Sequence, residues 1–352
     1  MTLINGLPRD SFHISCICTS KAILKKFSSR IIHSPVQLLD LDAIHAIAGW
    51  RSVIPLSKLL NCLKSNILLL NGIDAYNCSY AALAARLTRV PNIVGVIHMS
   101  RVWKPQRQEI SARLFRYAVD TSIDKVIAVS SAAKQQAIEN CRFSPDKVTV
   151  IYNGINIPSK DSCSHKIVNN GNMLQAVTVA RLSPSKDLST LIRAASILAS
   201  NNYPVKFTII GDGPERNELE DLCNSLEIAH AVHFLGWQDQ ISRLLWDFDL
   251  YVHTSLTEGF GLAVTEAMAC YLPVIATEVG SLPEIVDHER TGLLIPPGDP
   301  LALAGAIRYL GQDSGLRKRM GLAGRQRVEQ LFSAGRMIRK TQEFFYALLG
   351  SK

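Results

Sequence analysis

Two glutamates eight residues apart, Glu258 and Glu266, lie in the densest segment of the chain, Ser255–Pro283 (SLTEGFGLAVTEAMACYLPVIATEVGSLP). Gly259 and Gly261 precede a stretch rich in Ala, Met and Glu, whose composition predicts a helix over Leu262–Cys270. Glycines at a helix entry let a ligand approach open backbone N–H groups, and the helix dipole favours negative charge there. Eight residues of helix rise about 12 Å, so Glu258 is expected at the mouth and Glu266 further along the nearby face. Each carboxylate would grip a different part of an extended ligand. Arg181 follows an expected strand ending at Ala180, and Lys186 stands at the entry of the next expected helix. A guanidinium and an ammonium beside a helix N-terminus suit a diphosphate. Taken singly, each of the four has a plainer reading, as a carboxylate complementing a dipole or as a surface cation.

Other motifs narrow the chemistry. Gly211-Asp212-Gly213-Pro214 follows another expected strand and reads as a βα turn, with Gly213 a lining candidate. It lacks the full G-x-G-x-x-G, so a nicotinamide cofactor is unsupported, and no G-x-x-x-x-G-K-[ST] loop exists. Two D-x-D strings, Asp40–Asp42 and Asp247–Asp249, are weak metal signals, and the second precedes LYVHTS where a helix-to-strand turn is expected. Neither string is read as a metal site, and no metal and no cofactor are expected. Ser281-Leu-Pro-Glu284 has capping-box spacing, a reading preferred here to catalysis by Glu284. The eight cysteines include no C-x-x-C pair, so they are expected as reduced, mostly buried thiols, with Cys16 and Cys18 on one face of a strand.

These residues need a scaffold of alternating strands and helices. In the first half Phe12–Thr19, Asn66–Asn71, Ile93–His98, Lys125–Ser130 and Val148–Tyr152 read as strands, with Tyr80–Leu87 and Ala132–Asn140 as helices. In the second half Gln175–Ala180, Val205–Gly211, Val232–Leu235, Leu250–His253 and Val274–Thr277 read as strands. Leu188, Leu191, Ile192, Ala195 and Leu198 follow helical spacing. Continuous apolar strands alternating with helices predict α/β architecture with parallel sheets. At 352 residues against a usual ~100–200 per domain, the chain is expected to form two Rossmann-like domains facing an interdomain cleft. The expected division is 1–160, 161–332 and a final helix in 333–352 packing back on the first domain. Its linker falls near Pro158–Asn172. Open parallel sheets bind ligands at the carboxyl ends of their strands, so function is sought in the loops after the strands.

Charge is unevenly spread. Residues 1–160 hold 20 Lys and Arg against 9 Asp and Glu, a surplus of +11, and residues 161–352 hold 18 against 21, or −3. A basic face on the first half suits an anionic membrane surface or a lipid-linked ligand, and a solvated surface equally. Lys21, Lys25, Lys26 and Arg30 recur at near-helical spacing, as do Arg101, Lys104 and Arg107. No nucleic-acid-binding signature accompanies them, so nucleic acid is not an expected partner. No apolar run approaches the ~18 residues of a membrane span, and Arg9, Asp10 and His13 interrupt the position of a signal-peptide core. A cytoplasmic protein is expected, peripheral at the inner membrane face if the basic residues engage lipid.

VARLSPSKDLSTLIRAA, TIIGDGP, VHFLG, TEGFGLAVTEAMACYLPVIAT and GSLPEIVDHERTGLLIPPGD, in this order, resemble the second domain of the family-4 (group 1) retaining glycosyltransferases, which have the B-type glycosyltransferase fold. IVGVIHMS, VIAVSSAAKQQ and VIYNGIN resemble strands of that family's first domain. The resemblance implies a hexosyltransferase that moves a sugar from a nucleotide-sugar donor, UDP-linked, to a saccharide or lipid-linked acceptor in glycan or polysaccharide biosynthesis. It implies that Arg181 and Lys186 hold the donor diphosphate and that Glu258 bonds sugar hydroxyls. The backbone of Gly259, Phe260, Gly261 and Leu262 would line sugar and phosphates, Glu266 would bind the ribose, and His98 would meet the donor sugar. Trp237 stands where the family places its base-binding backbone, and packing is the preferred role for its ring. Family members begin with a strand, a glycine-rich loop and a helix before the strand that FHISCICT resembles. This chain is expected to lack that first βα unit, through a misplaced start or a truncation. Two other readings share the scaffold: a non-catalytic member binding nucleotide sugar or a partner protein, and a nucleotide-sugar epimerase.

Overall fold

The computed structural model describes residues 2–8, 10–15, 53–72, 79–98, 121–159 and 173–350. The chain forms two compact units: Met1–Gly154 together with Ala334–Lys352, and Ile155–Ser333. In the first unit a short helix α1 (Thr2–Gly6) and α2 (Val53–Leu63) precede β1 (Ile67–Asn71), α3 (Ser79–Leu87), β2 (Asn92–Ile97), β3 (Lys125–Ala128), α4 (Ser131–Cys141) and β4 (Val148–Val150). The strands pair in parallel in the order β1-β2-β3-β4. All six residues of β2 are buried, as expected of an apolar strand covered on both faces. Asn71 pairs with Val96, so the carboxyl ends of β1 and β2 come together. The N-terminus of α4 is closed by Ser130, whose Oγ accepts from the Ala133 N–H at 3.0 Å.

The second unit carries β5 (Leu174–Val179), α5 (Leu188–Ser200), β6 (Val205–Ile210), α6 (Arg216–Ser225), β7 (Val232–Gly236), α7 (Ile241–Leu245), β8 (Leu250–His253), α8 (Leu262–Ala269), β9 (Val274–Thr277), α9 (Leu282–Ile285), β10 (Gly292–Ile295), α10 (Pro300–Gln312) and α11 (Ser314–Leu331). Its six strands are parallel, in the order β10-β9-β8-β5-β6-β7. The chain builds outward from β5 through β6 to β7, returns to lay β8 against the other side of β5, and builds outward again. The direction therefore reverses between β5 and β8. The apolar stripe of α5 is buried with Leu303 and Ile307 of α10 in the core of this unit. Arg325 of α11 is also buried. It donates to the carbonyls of Ala269 at 2.6 Å and Pro158 at 3.0 Å and lies over the Tyr271 ring, tying α11 to the end of α8.

The final helix α12 (Ala334–Gly350) belongs to the first unit and packs against α1. Gly6 is pressed against Ile338 of this helix so closely that a Cβ would fall 2.1 Å from Ile338 Cδ1. The expected strand over Phe12–Thr19 is not formed in its described part. Phe12–Ser15 is irregular: the Phe12 N–H donates to Pro8 O, and its ring packs at 6.1 and 5.5 Å from Phe345 and Tyr346 of α12. Aromatic burial against a helix replaces strand pairing there. The short strand β10 was not anticipated, because GLLI opens on a glycine and runs into Pro296-Pro297-Gly298, so it reads as part of its loop.

The expected features at Cys16, Cys18, Lys21, Lys25, Lys26, Arg30, Asp40–Asp42, Arg101, Lys104 and Arg107, and residues 160–172 of the linker, lie outside the described residues. Among the described residues, no helix is long and apolar enough to cross a membrane.

Candidate functional site

In an open α/β sheet the crevice for a ligand opens where the strand order reverses, at the carboxyl ends of the two strands flanking the reversal. Here these strands are β5 and β8, and the candidate residues of the second unit follow them. After β5 the backbone of Ala180 and Leu182 is stitched to the turn after β6, with Ala180 N donating to Ile210 O and Leu182 N to Asp212 O. The approach requires glycine on the other side. A Cβ on Gly211 would meet Ala180 O at 1.9 Å, and one on Gly213 would meet Leu182 O at 2.2 Å. Gly213 is thus a packing glycine that fixes the path of the Arg181 loop.

Pro184–Lys186 form a single 3-10 turn, closed by Asp187 in the left-handed conformation at φ +45°. The Asp187 carboxylate accepts from Ser189 Oγ at 2.8 Å and Thr190 Oγ1 at 2.6 Å, which offsets part of the cost of that backbone. This turn is bonded to the loop after β8, since Thr254 Oγ1 donates to Lys186 O and Leu256 N to Ser185 O, both at 2.9 Å.

Across these loops Lys186 Nζ donates to Glu258 Oε2 at 2.6 Å. The same oxygen lies 3.0 Å from Nε2 of His253, the last residue of β8, and Ser255 Oγ is 2.9 Å from that nitrogen. His253 and Ser255 are buried, and the side chains of Lys186 and Glu258 are 23% and 15% exposed, enough to be reached from solvent. Burial acts to raise the Glu258 carboxyl, but the bonds and charge of His253 and Lys186 outweigh it and hold it at about 2. Burial pushes the His253 imidazole down, opposed in part by Glu258, so His253 is a neutral donor to a carboxylate. Glu258 is therefore ionised throughout the physiological range.

Glu258 precedes the helix, in a loop held by a second close approach. Gly280, at φ +53°, leaves no room for a Cβ, which would fall 2.0 Å from Glu258 O, and the Ser281 N–H donates to that oxygen at 3.2 Å. Gly261, also left-handed at φ +48°, occupies the N-cap position of α8 with no side-chain cap. Thr265 N is the first to bond back, to Gly261 O, so the N–H groups of Leu262, Ala263 and Val264 have no acceptor within the helix. The ring of Phe260 turns inward against Phe332 at 5.6 Å, leaving its backbone at the helix entry. Glu266, one turn into α8, is half-buried without a hydrogen-bond partner among the described residues, and burial raises its carboxyl above the usual glutamate value.

Lys186 and Glu258 are thus joined directly. Arg181 is not brought to them by any bond: it is exposed after β5, with no ion pair among the described residues. In the first unit His98 follows β2, and its Nε2 lies 2.7 Å from Asn71 Oδ1 at the end of β1. An amide oxygen only accepts, so this contact places the proton on Nε2. Two expectations are corrected. Ser281 has helical backbone angles and no side-chain cap bond, because its N–H is spent on Glu258 O, so no capping box forms with Glu284. Trp237 is 66% exposed beyond β7 and is not a core residue. Asp249 stands in the expected turn before β8, where its Oδ2 accepts from the Gln175 N–H at 3.0 Å and anchors the turn beside β5. Sequence reasoning missed His253, Ser255, Gly280 and Asn71. The one available signal was an imidazole closing the otherwise apolar run LYVH five residues before Glu258.

Two parallel-sheet units, with a charged pair and an uncapped helix at the switch point of the second, define an α/β protein of the B-type glycosyltransferase fold. Residues 160–327 match the family profile described as glycosyl transferases group 1, and residues 1–158 match that of glycosyltransferase family 4. The chain belongs to this glycosyltransferase family. It is 31% identical over 294 residues to the uncharacterized glycosyltransferase MJ1178 of Methanocaldococcus jannaschii, covering 80% of this chain and 79% of that protein. It is 32% identical over 177 residues to the GPI3 subunit of the phosphatidylinositol N-acetylglucosaminyltransferase of Saccharomyces cerevisiae, covering 49% of this chain and 39% of that protein. The match therefore spans well under half the length of the yeast relative. Among solved structures, Anabaena HepE in complex with UDP superposes with a TM-score of 0.80 at 23% identity, covering 95% of this chain and 92% of that one.

Proposed function

We propose that the chain is a retaining glycosyltransferase, using a UDP-sugar and a saccharide or lipid-linked acceptor in glycan biosynthesis, with no metal required. One observation carries this reading: an ionised carboxylate paired with an ammonium beside an uncapped helix N-terminus, at the β5/β8 reversal. Support comes from relatives, since the GPI3 subunit belongs to an N-acetylglucosaminyltransferase and HepE binds UDP. In this reading the two remaining Lys186 N–H bonds and the exposed Arg181 guanidinium hold the diphosphate, assisted by the N–H groups at the start of α8. Stabilising charge that develops on a leaving group is commonly the largest catalytic term. Glu258 accepts from sugar hydroxyls, Glu266 accepts from the ribose, and His98, oriented by Asn71, serves the donor sugar. The bond between the anomeric carbon and the diphosphate oxygen breaks, and the acceptor oxygen bonds to that carbon on the same face. The acceptor proton passes to the departing phosphate.

Release of UDP from UDP-glucose, and calorimetric binding of UDP-glucose, test this directly. Glu258→Ala and Lys186→Ala are each expected to lower turnover at least tenfold, and a chelator is expected to change nothing. Normal affinity and turnover in both variants overturn the assignment. Binding without turnover under any acceptor identifies a non-catalytic member of the family.

A further inference from the structure

We propose that His253, with Ser255 behind it, is a positioning residue that presents one oxygen of Glu258 to the donor sugar; the inference rests on the reading that Glu258 contacts that sugar. The geometry divides the two oxygens of the carboxylate. Oε2 receives both Lys186 Nζ, at 2.6 Å, and His253 Nε2, at 3.0 Å. Oε1 has no partner among the described residues and is not sealed off from solvent. A carboxylate oxygen only accepts, so its contact with Nε2 places the imidazole proton there. Ser255 Oγ, 2.9 Å from the same nitrogen, accepts a share of that proton and keeps the ring from turning away. Tyr251, two residues earlier on the same face of β8, stacks on the imidazole at 6.2 Å with planes 19° apart, and its own hydroxyl donates to Val179 O of β5. The ring is therefore held on two sides.

Burying an imidazole to 3% exposure is costly unless its polar atoms are used. A leucine or valine would fill the end of a parallel strand at lower cost. The polarity is used on a flexible glutamate, which otherwise loses rotamer freedom whenever a ligand arrives. Fixing the side chain beforehand, with its backbone already pinned by Ser281 N, moves that entropy loss out of the binding step.

Binding of UDP-glucose and of UDP to the full chain separates positioning from packing. In His253→Leu the affinity for UDP-glucose and its kcat/KM are expected to fall about tenfold, because the sugar is read through a carboxylate no longer preorganised. The affinity for UDP, which lacks the sugar, is expected to stay within about twofold. His253→Gln, whose amide places an N–H near the position of Nε2, is expected to recover most of the loss. Unchanged UDP-glucose binding in His253→Leu, or parallel loss of both ligands with no recovery in the glutamine variant, overturns the inference. The carboxyl carbon resonance of Glu258, followed against pH, gives a readout that needs no donor. The titratable groups facing this carboxylate are Lys186 and His253, and those facing the imidazole are Glu258 and Lys186 beside the Tyr251 ring. Its midpoint is about 2 in the native chain and is expected to rise in His253→Leu. If it rises while the native chain binds no UDP-glucose, the positioning stands and the donor reading falls. If it does not move, the positioning fails.

Discussion

Glu258 and Glu266 show how neighbours set the behaviour of chemically identical side chains. Burial raises both, yet among the described residues only Glu258 has donors, and it is held at about 2 while Glu266 rises above the ordinary 4.5. Glu258 has the depressed value, so its contribution to folding is complete above about 4.5 and is lost as the pH falls through about 2. Removing its charge leaves a half-buried ammonium and a buried imidazole facing only a neutral acceptor. Glu258→Gln is therefore expected to destabilise the second unit by about 2 kcal/mol at neutral pH, measured by denaturant unfolding. Glu266 behaves in the opposite sense. If its ionised form binds ribose hydroxyls, affinity for UDP-glucose weakens on acidification at a pH still above 4.5, where Glu258 remains charged. Glu266→Gln is expected to remove this pH dependence in calorimetric titrations. A dependence that survives the substitution assigns it elsewhere.

At the scale of elements, the site is a set of loops fastened edge to edge by glycines. Gly280 comes so close to Glu258 that an added Cβ meets its carbonyl oxygen at 2.0 Å, and the backbone there is left-handed. Gly280→Ala is expected to cost about 2 kcal/mol in thermal or denaturant unfolding and to weaken UDP-glucose binding more than UDP binding. An alanine variant of wild-type stability would show that the loop relaxes freely. This level was only partly legible beforehand. Strand and helix positions around Lys186 and Glu258 could be read because β5, β6, β8 and β9 are short apolar runs with clear punctuation. The contact between Lys186 and Glu258 joins residues 72 apart in sequence. It depends on β8 returning to pair with β5, which periodicity does not encode. His253 was hidden for a related reason, since inside LYVHTS it reads as one more strand residue. Phe12 misled in the other direction, because an apolar, β-branched segment reads as a strand wherever its partner is unknown, and here the partner is a helix.

At the scale of the whole molecule, the chain leaves the first unit at Gly154 and rejoins it at Ala334. Phe345 of α12 is buried and touches both Phe12 and Phe344. Phe345→Ala is expected to cost about 3 kcal/mol, and amide exchange should place that loss in α1 and α12 rather than in the strands β5–β10. Uniform loss across both units would contradict the division. The same layout sets an order for biosynthesis. Residues 155–333 form an uninterrupted stretch, so they can settle while still near the ribosome. The part of the first unit translated before them must wait, with the seat for α12 uncovered, until the helix that closes it has been made, so the unit begun earlier is completed later.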